Sequence, residues 1–90
     1  MSLGKPFKEE EFDEFVIRTF SSDSDPFEMV WHKDNENRLV VILEETDWLF
    51  QFDNELPTEM KDSIFIPKGV IHRVIKGSSD LKVKIFKSND

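Results

Sequence analysis

Cysteine and tyrosine are absent from this 90-residue chain, and glycine occurs only three times. Without cysteine there is no disulfide, no thiolate zinc site and no cysteine nucleophile, and the composition fits a reducing compartment. The longest apolar run, residues 39–43, is far too short to cross a membrane, and the opening stretch MSLGKPFKEEEF lacks the apolar segment of a signal peptide. We therefore expect a cytoplasmic protein.

Positive charge is also scarce, because 12 Lys and Arg stand against 19 Asp and Glu, for a formal net charge of -7. A chain of this charge repels phosphate backbones and anionic lipid surfaces, so we expect neither nucleic acid nor a membrane as a partner. The sequence also contains no glycine-rich phosphate loop, no G-x-S-x-G elbow and no Ser-His-acid arrangement with motif spacing. These absences argue against the common nucleotide-binding and serine-hydrolase classes.

Large apolar side chains are plentiful by comparison, with nine Phe and two Trp. A chain of this length buries only roughly 60–65% of its unfolded surface, so its core must be dense. Each large apolar side chain contributes about 1.5–3 kcal/mol when fully buried. We expect one domain over residues 1–90, with a packed core that needs no disulfide.

From residue 27 onward, short runs of Val, Ile, Phe and Trp alternate with polar residues and are broken by turn formers, a pattern typical of strands. We predict strands at residues 27–32, 38–43, 48–52, 63–66, 70–75 and 81–86. The first part of the chain fits a short helical turn followed by a strand at 14–20, which the stretch SSDSDP ends. The prediction is an all-β domain with an N-terminal segment, 1–26, and a barrel core, 27–86.

Pro67, Gly69 and His72 lie at the spacing P-x-G-x2-H within the segment DSIFIPKGVIHRV. Proline at the second position of a turn presets its φ, and glycine two residues later tolerates angles that other residues resist. The segment resembles the second motif of the cupin superfamily, written G-x5-P-x-G-x2-H-x3-N. Lys61 and Lys76 replace the outer glycine and asparagine of that motif.

The upstream segment VWHKDNENRLVVILEE resembles the first cupin motif, G-x5-H-x-H-x3-4-E-x6-G, less closely. His32 is retained, whereas Asp34 stands at the second histidine and Arg38 at the glutamate. Pro26 and Glu45 replace the two glycines. Together the two motifs imply a small single-domain cupin, that is, a jelly-roll barrel with an interior that can hold a ligand.

Cupins with the full pattern bind a divalent metal through three histidines and one glutamate, so the resemblance implies a reduced version of that site. His32 and Asp34 project from one face if a strand continues through them, and His72 can complete a set of two imidazoles and a carboxylate. Such a set suits iron or manganese, with nickel and zinc as further candidates. Asp34 can instead cap the polar turn KDNEN, and Arg38 would bring a permanent positive charge close to a cation.

Three other side chains are candidates for ligand binding. Arg38 can hold a carboxylate or phosphate in the barrel mouth, or it can pair with Asp34 or Glu36. Trp48 and Phe50 share one strand face, where they can line a pocket or fill the core. The two histidines can likewise form a shared site or each bond to a backbone carbonyl or a neighbouring acid.

The motif departures favour a small cupin-like barrel that binds an unidentified small molecule, with a reduced metal site or none. One alternative is a metal-dependent oxygenase or isomerase acting on a small polar substrate, and another is a structural dimerisation module. We also expect a homodimer, because residues 39–43 are apolar on both strand faces. A two-layer sandwich covers only one face of each sheet, so a second copy would cover the other.

Overall fold

The structure is a computed structural model that describes residues 7–23 and 29–89. Within these residues the strands are β1 (Phe7–Glu11), β2 (Val16–Phe20), β3 (Asn37–Ile42), β4 (Leu49–Phe52), β5 (Thr58–Glu59), β6 (Ser63–Ile66), β7 (His72–Ile75) and β8 (Leu81–Ser88). They form a five-stranded sheet in the order β1-β2-β8-β3-β6 and a three-stranded sheet in the order β5-β4-β7, with antiparallel pairing throughout. The described part of the chain contains no helix with the length and apolar character needed to span a membrane.

The core lies between the two sheets, because alternate side chains of each strand point inward. In β8 the inward residues Leu81, Val83 and Ile85 are at most 4% exposed. Trp48, which precedes β4, is fully buried and contacts Phe20 of β2 across the core, with ring centroids 6.1 Å apart. The predicted all-β jelly-roll fold is therefore confirmed, and large rings and branched aliphatic side chains fill its interior.

Most of the predicted strands are present with small changes at their ends. The strands predicted at 38–43, 48–52, 63–66, 70–75 and 81–86 correspond to β3, β4, β6, β7 and β8, with ends shifted by at most two residues. The short strand β5 was not predicted, because its two residues lie inside the turn-like stretch DNELPTEMKD. Hydrophobic alternation thus located the elements that contribute to the core.

The predicted N-terminal helical turn is wrong, because residues 7–11 form strand β1. β1 pairs with β2, which places Phe7 opposite Phe20 and Glu9 opposite Arg18. Phe7 packs on Phe20 with ring centroids 5.1 Å apart, and Glu9 Oε1 lies 3.6 Å from Arg18 Nε. The helical spacing of the phenylalanines was misleading, since Phe7 and Phe15 pack on other strands and Phe12 stacks on Phe15 within a turn. Residues 1–6 lie outside the described part of the chain.

Of the predicted strand at residues 27–32, the described residues 29–32 form only a single bridge. Phe27 and Glu28 lie outside the described residues, and Met29 belongs to no strand. His32 alone pairs, by exchanging two backbone hydrogen bonds with His72, of 3.0 Å for His32 N to His72 O and 2.8 Å for the reverse. This bridge brings the two histidines of the chain side by side.

The PKG turn joins β6 to β7. Val70 N donates to Pro67 O over 3.3 Å, so Pro67 is the first residue of the turn and not the second, as predicted. Gly69 is the third residue and has a φ of 80°, which matches the type II pattern that favours glycine. Gly69 N also donates to the carbonyl of Asp34 over 3.0 Å. The turn therefore holds the loop that carries Asp34 against the start of β7.

We expect Gly69→Val to destabilise the domain by about 1 kcal/mol or more, because valine disfavours a positive φ. No heavy atom lies within 4 Å of the place that a Cβ would take, so the cost comes from the backbone. For a domain of this size, 1 kcal/mol lowers the melting temperature by about 4–8 °C. Thermal denaturation followed by circular dichroism measures it. Gly69→Asn is the control, since asparagine tolerates this region and should lose less; equal melting temperatures for valine and glycine would contradict the assigned turn.

The outer face of the five-stranded sheet carries a continuous apolar row. Leu39 of β3 lies opposite Phe86 of β8 on one side and Phe65 of β6 on the other, and opposed residues point to the same face. Leu39 is 39% exposed and Phe65 is 56% exposed. Phe15 extends the row against Phe86, at 5.6 Å between ring centroids, and stacks on Phe12 at 4.8 Å. No second layer covers this row within the described residues.

We expect a second copy of the chain to cover this apolar row, which would make the protein a homodimer. On the outward positions of β2, β3, β6 and β8 the only ionisable side chains are Lys82 and Lys84, whereas the turn at the edge of the face carries Asp13 and Glu14. In a dimer with a two-fold axis, the acids of one copy can therefore contact the lysines of the other, and the two apolar rows can contact each other.

Light scattering at tens of micromolar tests the dimer. We expect twice the chain mass for the unmodified protein and the monomer mass for Phe65→Glu, because a buried charge opposes apolar contact. Leu56→Glu is the matched control, since Leu56 is 83% exposed in the loop between β4 and β5, and it should remain dimeric. A monomer mass for the unmodified protein would overturn the expectation.

Candidate metal centre

His32, Asp34 and His72 come together where the loop before β3 meets the start of β7. The candidate ligand atoms of the three side chains lie within 4.8 Å of one another. The two imidazole rings meet edge to face, with centroids 4.4 Å apart and planes inclined at 60°. The structure thus brings together the three residues that the sequence named as candidate metal ligands.

Backbone carbonyls orient both imidazoles. His32 Nδ1 lies 2.7 Å from Val30 O, and His72 Nδ1 lies 2.8 Å from Val70 O. Because a carbonyl only accepts hydrogen bonds, each Nδ1 carries the proton, and in a neutral ring the lone pair is then on Nε2. Metal-binding histidines usually make such a second contact, which sets the tautomer. Both rings are therefore oriented as Nε2 ligands.

The carboxylate of Asp34 lies between a histidine and an arginine. Its Oδ2 is 3.2 Å from His72 Nε2, and its Oδ1 is 3.5 Å from Arg38 Nη1. Oδ2 is buried and receives no well-directed hydrogen bond from the described residues, so the contact with His72 is close in distance only. Burial raises the pKa of Asp34, but the contact with His72 and the charges of Arg38, His72 and His32 outweigh it and hold the pKa below its usual value. The carboxylate is therefore ionised at neutral pH.

The contact between His72 and Asp34 offers two acceptor atoms to a cation. With its proton on Nδ1, His72 presents the lone pair of Nε2 only 3.2 Å from Asp34 Oδ2. A cation held also by His32 would compensate these two acceptors. Two imidazoles and a carboxylate suit iron and manganese, and also accept nickel or zinc. The donor set therefore fits a divalent metal.

Arg38 stands at the place of the family glutamate and pairs with both acids that the sequence suggested. Its Nε donates to Glu36 Oε2 over 2.6 Å, and its Nη1 faces Asp34. A permanent positive charge next to Asp34 weakens the attraction of that carboxylate for a cation. We therefore expect a site of lower affinity than one built from four protein ligands.

A cavity of about 50 Å³ opens beside the cluster. Its lining includes His32, His72, Arg38 and Phe50, and Phe50 stacks on His72 with ring centroids 5.6 Å apart. Trp48, the other aromatic ligand candidate, is not part of this lining and packs in the core, where its Nε1 donates to a backbone carbonyl. The cavity therefore combines the two histidines with an aromatic wall, whereas Asp34 is not part of its lining.

Sequence reasoning missed Arg18. Its side chain is 9% exposed and lines the same cavity, while its guanidinium lies over the ring of Phe7, 4.5 Å from the centroid. The only signal was its place in the alternation of β2, between the inward-facing Val16 and Phe20. Arg18 belongs to no motif. Its acidic neighbour Glu9 is apparent only once β1 is known to pair with β2.

No protein-family model and no curated protein matches this chain, whereas several solved structures do. A structure described as a candidate mannose-6-phosphate isomerase from Ralstonia eutropha JMP134 superposes with a TM-score of 0.66 at 16% identity, over 99% of this chain and 88% of that one. A cupin-2 domain containing protein from Shewanella frigidimarina gives a TM-score of 0.61 at 19% identity, over 92% and 79%. A cupin domain from Bordetella pertussis gives 0.62 at 16% identity, over 97% and 99%.

At these identities the likeness concerns the fold. The motif P-x-G-x2-H at residues 67–72 agrees with that fold independently. The eight described strands, their antiparallel order and the motif that joins β6 to β7 all belong to the same architecture. This chain therefore has the cupin fold.

Proposed function

We propose that this small cupin-fold barrel binds a small molecule beside one divalent metal ion, which His32, Asp34 and His72 hold. The observation that carries the proposal is the approach of three ligand atoms to within 4.8 Å of one another, with the two histidines at the wall of a cavity. When bound, such a metal supplies a Lewis acid and an anchoring point for an oxygen atom of the ligand. The carbonyls of Val30 and Val70 keep the two imidazoles in ligand orientation.

The cavity favours ligand binding over a structural module and over an isomerase. A purely structural module would fill the space next to His32 and His72, whereas both residues line a cavity. An isomerase that moves a hydrogen between carbon atoms needs a group that transfers protons. The other twelve lining residues are ten apolar residues and two arginines, which are unsuited to that role. The geometry therefore supports a binding protein.

Metal loading tests the proposal. The protein is incubated separately with iron, manganese, nickel and zinc, dialysed and analysed for its elements, and we expect about one metal ion per chain for at least one of them. The His32→Ala, His72→Ala double variant should retain none.

Glu59→Gln is the control for unspecific binding. Glu59 lies in a separate groove lined by Glu44, Glu45 and Asp62 among others, so this variant should bind as the unmodified protein does. A stoichiometric metal ion in the double histidine variant would show that the metal is held elsewhere, and metal loss in Glu59→Gln would point to that groove.

A further inference from the structure

The polar part of the cavity wall consists only of basic residues. Arg18, His32, Arg38 and His72 contribute it, and the remaining ten lining residues are apolar. No acidic, hydroxyl or amide side chain belongs to this lining among the described residues. The chain as a whole has a net charge of -7, so a wall whose polar side chains are all basic differs from the average composition of the protein. Both arginines are accompanied by acids outside this lining, so an anion has to bind to N–H groups of Arg38 that those acids do not use.

Arg38 can bind an anion while it keeps its contacts with the two acids. A guanidinium has five N–H donors, and Nε is used by Glu36. Nη1 is 3.5 Å from Asp34 Oδ1, which is longer than an ordinary hydrogen bond. A carboxylate accepts two parallel N–H groups from such a side chain. The side chain of Arg38 is 15% exposed, and reduced solvent access strengthens the contact.

The apolar part of the wall determines the chemical character of the rest of the ligand. Met60, Ile64, Val83 and Ile85 are among the residues that line it, so an anion without a carbon chain would leave this surface without contacts. The cavity measures about 50 Å³, far below the roughly 300–1,000 Å³ of pockets for drug-sized ligands, so it suits only a ligand of a few non-hydrogen atoms. Inorganic phosphate has the charge but lacks the apolar part.

We propose that the cavity binds a small monocarboxylate with a short unbranched carbon chain, of the size of acetate or propionate. The carboxylate accepts N–H groups of Arg38 that Glu36 does not use, and the carbon chain contacts the aliphatic wall. This deepens the proposed function by naming the chemical class of its small molecule. It requires the cavity and its arginines, and it does not require that the metal be present.

The test uses protein stripped of metal with a chelator, which is titrated with propionate while amide resonances are followed by NMR. We expect saturable shifts at residues that line the cavity, with a Kd in the millimolar range, since a ligand of so few atoms makes few contacts. Propanamide and propylammonium, which have the same size without the negative charge, should bind at least tenfold more weakly. Inorganic phosphate should also bind at least tenfold more weakly.

Two arginine variants locate the binding. Arg38→Gln should weaken propionate binding at least tenfold. Arg73→Gln removes the same charge from β7, where Arg73 bonds to Gln51 and lies over Trp31 outside the cavity lining, and it should leave the affinity unchanged. If Arg38→Gln fails to fold, Arg38→Lys keeps the charge but loses the bidentate donor pair, and it should bind propionate with reduced affinity.

The outcomes of metal loading and of propionate titration are independent of each other. Equal affinity for propionate and propanamide, or an unchanged affinity in the variants of Arg38, would overturn this inference whatever the elemental analysis shows. An absence of saturable propionate binding in protein that takes up one metal ion would also overturn it and leave the metal site standing. Propionate binding by a protein that takes up no metal would support it and contradict the metal site.

Discussion

Trp48→Ala is expected to lower the free energy of unfolding by about 3–5 kcal/mol, the range for truncating a buried aromatic residue. Trp48 is 0% exposed, contacts Phe20 across the core and donates its Nε1 hydrogen to the carbonyl of Ser79. The backbone of Gly77 approaches so closely that a Cβ there would lie 2.7 Å from Trp48 Cδ1. Both the core and the loop before β8 therefore depend on this indole.

The expected loss for Trp48→Ala is large relative to the total free energy of unfolding of the domain. Domains are stable by roughly 0.05–0.15 kcal/mol per residue, so a 90-residue chain has about 5–13 kcal/mol in total. Urea denaturation followed by far-ultraviolet circular dichroism measures the change. Trp31→Ala is the matched control, because Trp31 is 42% exposed and lies under Arg73 at the surface. It should cost less than about 1 kcal/mol, and equal losses for the two tryptophans would contradict the assigned core.

His72→Ala is expected to reduce metal affinity by more than about 100-fold, since even the residues behind metal ligands change affinity by about 10–100-fold. His72 is 3% exposed and its Nε2 lies 3.2 Å from Asp34 Oδ2, so the alanine variant loses a buried ligand next to the carboxylate. Asp34→Asn should weaken binding less, because an amide oxygen keeps the shape but loses the charge. Binding should also weaken as the pH falls, because protons compete with the metal for Nε2.

Isothermal titration calorimetry of the metal-free proteins with manganese or zinc measures both variants. The exposed acid Glu59, which pairs with Lys61 at 2.8 Å, provides the control, and Glu59→Gln should leave the affinity unchanged. An unchanged affinity for Asp34→Asn would remove Asp34 from the ligand set. An unchanged affinity for His72→Ala would contradict the site as a whole.

The candidate site shows which of its residues could be predicted from the two sequence motifs. Pro67, Gly69 and His72 were predicted together because they lie in one short segment, where local backbone preferences decide the conformation. Asp34 had two interpretations, as a turn cap and as a ligand, because nothing near it in the sequence reveals what lies opposite. In the structure its backbone carbonyl accepts from Gly69 and its carboxylate faces His72. Both contacts join segments that are far apart in the chain.

The sequence by itself determined the composition of the core, the strand alternation and the turn that precedes His72, since each follows from side-chain type and local backbone preference. Only the tertiary structure decided that residues 7–11 form a strand, that His32 pairs through a single bridge, and that Arg18 lines the cavity. Alternation shows which residues share a face of a strand, but not which strand lies beside it. Arg18 lies opposite Val83 in β8, and that register depends on the packing of the whole barrel.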